Sequence, residues 1–363
     1  MKNTYNPQTV TPPKDFLIEA LEERNMGSKE FAIRTEKPEK TISAILNGKS
    51  SITPEMAIQF EKVLNMPAYF WLEAQRVYDE CEARNAYQRI IEGSIDWAKE
   101  FPYSNMAKLG WVAPTRKASE KAAELLTFFG VASPKAWKDC YFDKKIKVSL
   151  RASLEEVKHA HALTAWLRHG LLQAQKIDAP TYSKSTFKKQ LKEIQELMYL
   201  QPSDFFQQLQ QLCLKAGVIV VYSPSLPSVP IHGATRWNGN TPIIQLTGRY
   251  KQNDIFWFTF FHEAGHILEH GKKYISLENI SYKGEDEKLE QEADEIAISY
   301  TFNKQQEKEF LALDSLEDET IEAFAEKHRI HPAVIVGRLQ HKKIISFKDK
   351  RKFFVAINLG QES

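Results

Sequence analysis

Phe256-Trp257-Phe258-Thr259-Phe260-Phe261-His262-Glu263-Ala264-Gly265-His266-Ile267-Leu268 is apolar on nearly every side, so as a helix it is expected to be buried. Its two histidines are four residues apart. On a helix that spacing sets them one turn apart on the same face, converging on one point. Glu263 lies about 100° around the axis from His262, within reach of a water held between the two rings. Asn253-Asp254 offers an N-cap just ahead of the run.

The pattern is the H-E-x-x-H arrangement of zinc metalloproteases. In that chemistry the histidines hold the metal, and the glutamate takes a proton from the metal-bound water that attacks a peptide carbonyl. Two histidines packed into a core are the competing reading, and a third ligand decides between them. Downstream, Leu289, Ala293, Ile296, Ala297 and Tyr300 recur at helical spacing and define a second amphipathic helix. Glu290 and Asp294 share one of its faces. This assigns Glu290 as third ligand and Asp294 as acceptor for the other ring nitrogen of a ligand histidine. Glu292 is the rival ligand. Position 272 carries lysine, so the longer pattern with a third histidine is absent, and His270 is expected at the surface.

Residues 217–222 read as a buried strand. Residues 231–237 and 242–246 flank Asn238-Gly239-Asn240, a strong hairpin signal. An edge strand beside the zinc could pair with an extended substrate peptide. His232 is a candidate transition-state donor there, although a lone histidine is more often structural.

His262-Glu263-Ala264-Gly265-His266 together with Glu290-Gln291-Glu292-Ala293-Asp294 resembles the ImmA/IrrE family of metallopeptidases. The likeness extends from about Ala216 to Leu339 and includes Gly233-Ala234-Thr235-Arg236-Trp237. It implies a zinc peptidase that cleaves or inactivates a DNA-bound repressor.

Residues 12–80 read as five short helices. Ser28 caps the second, the third runs from Lys40 to Asn47 and closes at Gly48, and Thr53-Pro54-Glu55 starts the fourth. The fifth runs from Pro67 through Tyr78. Two short helices joined by a tight turn match a helix-turn-helix. The segment Ile45 to Ala57 resembles HigA-type antitoxins of the Xre class. In that reading Lys37, Glu39, Lys40, Thr41 and Ser43 face the major groove, Ile42, Ile45 and Leu46 are buried, and Arg34 and Lys49 contact phosphates. The resemblance also implies a small toxin partner encoded nearby. From Met1 to Glu80 there are 10 Lys/Arg against 12 Asp/Glu, so one copy has a weak electrostatic footprint and operator binding calls for a homodimer.

The middle, 81–200, is helical by periodicity, with candidate helices at 117–129, 154–172 and 187–199. His159 and His161 face different sides of one helix, which argues against a shared metal. Net charge is +2, and 42% of residues are hydrophobic, as in an ordinary globular chain. Cys81, Cys140 and Cys213 lack zinc-knuckle or disulfide spacing, which points to a reducing cytoplasm. The start of the sequence is polar, unlike a signal peptide, and no apolar run approaches the ~18 residues that span a bilayer. Lys342 to Lys352 is basic and reads as a solvated end.

The expected fold is mainly α with a small β-sheet. It comprises an N-terminal five-helix helix-turn-helix domain (1–80), a helical spacer (81–200) and a C-terminal α+β zincin-like metallopeptidase domain (201–345). The expected activity is DNA-binding regulation joined to hydrolysis of a peptide bond in a repressor or toxin-system component, with zinc as cofactor. The alternative is an antidote and repressor whose zinc domain binds without cutting.

Overall fold

The computed structural model describes residues 9–141, 160–227, 229, 231–249, 252–273, 276–277, 285–313 and 315–359. Its contacts divide the chain into two compact units, Met1–Ser94 and Ile95–Ser363. The fold is mainly α with one small sheet.

In the first unit, helices α1 (Pro13–Glu22), α2 (Ser28–Arg34), α3 (Glu39–Leu46), α4 (Pro54–Leu64) and α5 (Ala68–Gly93) follow in order. Leu17, Leu21, Phe31, Ile42, Ile45, Phe60 and Trp71 interlock as their core. Thr53 caps α4 by accepting the Met56 amide hydrogen, as expected. Ser28 does not cap α2: it is the first helical residue, and the preceding Gly27 occupies the cap position. Gly48 closes α3 at φ +68°, where a glycine avoids the cost of a Cβ. Helix α5 runs fifteen residues past the expected stop at Tyr78. No Gly or Pro interrupts it before Gly93, and Glu80 pairs with Arg76 and Arg84 one turn away on either side. Local propensity extends this helix, since only Trp71 and Cys81 on it are buried.

The second unit opens with helices α6 (Ile95–Lys99), α7 (Tyr103–Lys108), α8 (Ala118–Phe129), α9 (Pro134–Trp137) and α10 (Ala160–Ala174). The start of the helix expected from 154, with His159, lies outside the described residues. His161 stacks on Trp137 at 4.7 Å, and His169 stacks on Trp111 at 4.1 Å while its Nδ1 meets Ser223 Oγ at 3.0 Å. Burial pushes both imidazoles below their ordinary range, so they are packing residues.

Helices α11 (Lys184–Leu200) and α12 (Phe205–Lys215) lead into the sheet: β1 (Ile219–Tyr222), β2 (Gly233–Asn238), β3 (Thr241–Leu246) and, after helix α13 (Asn253–Glu269), β4 (Ser276–Leu277). The spatial order is β1-β3-β2-β4, with β1 parallel to β3 and the other pairs antiparallel. The β2–β3 hairpin turns at Gly239, φ +62°, where the sequence expects it. Strand alternation sorts the faces. Val220, Ile244 and Leu246 meet the core around α13, whereas Ile219, Val221 and Ile243 meet Ala174 at the end of α10. Glutamine side chains stitch α10 to the sheet: Gln245 Nε2 donates to the Trp166 carbonyl at 2.7 Å, and Gln173 Nε2 to the Tyr222 carbonyl at 2.9 Å. The outer edge of β2 at Ala234 and Thr235 is taken by β4, which forms the edge of the sheet on that side.

Helices α14 (Glu285–Tyr300), α15 (Lys304–Leu311), α16 (Asp318–His328) and α17 (Pro332–His341) complete the unit. Its main core runs from Phe187 to Leu359. The basic stretch from Lys342 to Lys352 is exposed at nearly every position, as expected, and the residues after it dock into the core. Phe353, Ile357 and Leu359 are buried, Lys350 and Lys352 pair with Asp318, and Lys342 pairs with Glu307.

Helix α13 begins one residue earlier than the expected cap allows. Gln252 holds the cap position, and Asn253 and Asp254 are already helical. Asn253 is instead a buried hub. Its Nδ2 donates to Gln201 Oε1 at 3.2 Å and its Oδ1 accepts from the Val355 amide at 3.1 Å. Burial raises the Asp254 carboxyl from 3.8 to about 6, against the weaker pull of amides at the helix start. The folded state thus binds this proton more tightly, and stability falls as pH rises from about 4 through about 6. Asp254→Asn should raise Tm above pH 7, by on the order of 2–3 kcal/mol of stability, with the gain vanishing near pH 4 in thermal melts across that range.

No helix among the described residues is long and apolar enough to cross a membrane.

Candidate metal centre and helix-turn-helix face

Helix α13 presents His262 and His266 on one face, and α14 crosses it with Glu290 opposite. The two Nε2 atoms stand 3.0 Å apart. The Glu290 carboxylate lies 3.1 Å from His262 Nε2 and 3.5 Å from His266 Nε2. All three side chains offer ligand atoms within 4.8 Å of one another.

The outer ring nitrogens are held in turn. Asp294 Oδ1 is 2.8 Å from His262 Nδ1. His266 Nδ1 meets His270 Nδ1 at 2.8 Å, and His270 Nε2 meets Glu292 Oε2 at 3.1 Å. His270 is thus not the surface residue its position suggests: its side chain is 3% exposed. Glu292, the rival ligand, is turned toward His270 and stands one residue removed from the cluster. These contacts assign both ligand imidazoles as Nδ1–H donors. Their Nε2 lone pairs then converge with a carboxylate, three electron-rich groups that repel unless a cation lies between them.

The donor set fits zinc. Bonds of about 2.1 Å in a tetrahedron space ligand atoms by about 3.4 Å, close to the separations found here. Burial pushes His266 below the ordinary histidine range, which keeps it neutral. Burial would raise Glu290, but the His262 and His266 side chains beside it outweigh that and hold the carboxyl low. Neutral imidazole and ionised carboxylate are the ligand forms a divalent ion needs.

Small residues bring the two helices this close. A Cβ on Gly265 would lie 3.1 Å from Ala293 Cα and 3.2 Å from Ile296 Cβ. Gly265→Val should therefore separate α13 from α14, costing about 1–3 kcal/mol in denaturant unfolding and weakening metal retention at equilibrium dialysis. Glu263 is fully buried, against β2. A Cβ on Gly233 would meet Glu263 Cγ and Oε1 at 3.1 Å, and Thr235 Oγ1 donates to the Glu263 carbonyl at 3.0 Å. His232 is half-buried, and burial, with Arg249 nearby, pushes it down to about 4.

On the helix-turn-helix, Lys40, Ser43 and Lys49 are exposed and Thr41 is half-buried, while Ile42 and Ile45 are core. Arg34 is exposed and bonded to Glu30 at 2.7 Å. Lys37 is tied to Glu55 at 2.7 Å, which commits its ammonium within the domain. The sequence reading missed the packing of the Lys14 stem on the turn that closes α3, where its Cδ would lie 3.4 Å from a Cβ on Gly48. It also missed His270 as a partner of His266, although the four-residue spacing from His262 through His266 continues to it.

Residues 214–340 match the Peptidase_M78 family, described as the IrrE N-terminal-like domain, and residues 17–71 match a helix-turn-helix family. Over 83 residues the chain is 38% identical to the uncharacterized HTH-type transcriptional regulator YddM of Escherichia coli K12, covering 23% of this chain and 84% of that protein. The uncharacterized HTH-type transcriptional regulator YbaQ of the same strain is 33% identical over 93 residues, covering 25% of this chain and 82% of that protein. A solved addiction module antidote protein of a HigA family from Coxiella burnetii is 31% identical, covering 23% of this chain and 91% of that one, at a TM-score of 0.22. Pseudomonas aeruginosa antitoxin HigA, solved with the higBA promoter, is 24% identical, covering 23% and 94%, at a TM-score of 0.22. The chain therefore belongs to the helix-turn-helix regulators through its N-terminal domain, and toward its C-terminus it carries a Peptidase_M78 domain of the IrrE type.

Proposed function

We propose that this protein is a cytoplasmic, DNA-binding regulator with a zinc-dependent endopeptidase domain that cleaves a regulatory protein, either a repressor or a toxin-system component. The observation that carries the reading is the convergence of His262, His266 and Glu290, with Glu263 buried beside them. Those three residues would hold zinc. When bound, zinc supplies Lewis acidity, polarising a substrate carbonyl and making a water acidic enough to lose a proton near neutral pH. Glu263 is the base that takes that proton, held in place by its packing on Gly233. Asp294 orients His262, and Glu292 acts on His266 through His270.

We assign residues 1–80 to operator reading, 81–200 to a spacer and 201–345 to the peptidase. Lys40, Thr41 and Ser43 face base edges, Arg34 and Lys49 hold phosphates, and a homodimer supplies the affinity one weakly charged copy lacks. Lys49→Ala should weaken operator binding about equally on every sequence and reduce the salt slope by about 1 in filter binding at several salt concentrations. An unchanged slope would remove Lys49 from the interface.

Metal analysis of the purified full chain, paired with cleavage of the neighbouring gene's product in cells, tests the peptidase. About one zinc per chain is expected from a single three-ligand centre. Protein purified with zinc in excess that retains none contradicts the reading.

A further inference from the structure

We propose that Arg168 and Arg236 form a binding site for a phosphate group, carried by free phosphate or a small phosphomonoester, on the face of the sheet away from α13. Binding there needs no metal and is separate from the endopeptidase reading. Successive residues of β2 point to opposite faces. Thr235 donates to the Glu263 carbonyl on the α13 side, so Arg236 points to the α10 side. There its Nη2 donates to Gln245 Oε1 at 3.0 Å, and the same amide donates from Nε2 to the Trp166 carbonyl at 2.7 Å. Gln245 also packs on Gly170, where a Cβ would clash, and this sets the Arg236 head group against α10. Arg168 lies between Trp166 and Gly170 in the sequence. Its Nε donates to the Phe128 carbonyl at 2.9 Å, and its Nη2 would stand 3.3 Å from a Cβ on Gly130. Tyr141 donates to the adjoining Phe129 carbonyl at 2.7 Å. Burial raises the Tyr141 hydroxyl, and Arg168 and Arg236 both pull against that rise, so both guanidiniums lie close to it.

What the pair lacks is an anion. Among the described residues no carboxylate pairs with either arginine, and their partners are a neutral amide and a backbone carbonyl. Those groups orient the head groups without cancelling their charge. Arg236 Nε is buried with no acceptor. Burial, and after it the nearby Arg168, push the Arg236 guanidinium down to about 9, so it is still charged at neutral pH and repelled by its neighbour. Buried charges are ordinarily paired, and two like charges side by side cost more than one. Both side chains are half-buried, so a ligand from solvent has access to them. A guanidinium presents a fork of N–H groups that matches phosphate oxygens. Two guanidiniums carry two positive charges, which one phosphomonoester dianion balances and a monocarboxylate does not.

Full-length protein can be titrated calorimetrically with inorganic phosphate, methyl phosphate or acetate at about pH 8, where a phosphomonoester is doubly charged, with ionic strength held constant by chloride. At least one of the two phosphates should bind and raise Tm, and acetate should do neither. Binding of inorganic phosphate alone identifies free phosphate as the ligand, and equal or tighter binding of methyl phosphate identifies a monoester. Arg236→Met keeps an apolar stem and removes the charge, so it should weaken phosphate binding by about 10–100-fold, the size of a lost charge-assisted hydrogen bond. Arg168→Met should do the same from α10, and it carries the test if Arg236→Met does not fold. No effect of either phosphate at constant ionic strength, an acetate effect as large, or undiminished phosphate affinity in these variants would overturn the site.

Discussion

Glu263→Gln should keep its zinc and lose peptide hydrolysis by about 10²–10⁴-fold, the range a positioned general base contributes. The substitution preserves the shape that packs on Gly233 and beneath Thr235, so the helix and its two histidines stay where they are. What disappears is the capacity to accept a proton, because a neutral amide is a far weaker base. Metal content by atomic emission and cleavage of the partner protein in cells are the two readouts. Undiminished cleavage in a zinc-replete variant would refute the role given to Glu263. If the variant still neutralises a neighbouring toxin as well as the wild type does, the alternative gains: an antidote whose zinc domain binds without cutting.

Glu290→Ala and Glu292→Ala should separate cleanly in zinc affinity, although the two acids are only two residues apart. Removing Glu290 deletes an oxygen that lies among the two Nε2 atoms, so affinity should fall by well over ~100-fold. Removing Glu292 deletes only the far end of the chain from His266 through His270, which should cost about 10–100-fold. Competition with a chromophoric chelator measures both, and circular dichroism shows whether the helices persist. The reverse order would exchange the two assignments and make Glu292 the ligand.

The choice between those two acids marks the limit of what periodicity carries. Successive helical residues turn by about 100°, so Glu290 and Asp294 fall on one flank of the line through Ala293, and Glu292 falls on the other. Which flank meets the histidines depends on where α14 touches α13, and that contact is the close approach of Gly265 to Ala293. His270 illustrates the same limit. Its spacing from His266 is local, but its burial and its pairing with Glu292 exist only because α14 lies over it. The strand at the sheet edge shows the limit again: β2 was legible, but the edge on that side is β4, a two-residue segment with no periodicity to read.

By itself, the chain's sequence determined everything that depends on a fixed number of residues per turn. That includes the pairing of His262 with His266, the shared face of Glu290 and Asp294, the hairpin at Gly239 and the buried stripe Ile42-Ile45 of the helix-turn-helix. These are set by backbone geometry within a few residues. Tertiary structure alone decided the distance between α13 and α14, the burial of Asp254 behind Gly337, and the docking of residues 353–359 into the core. Each of those joins segments far apart in the chain, where packing of side-chain volumes, and not periodicity, selects the contact.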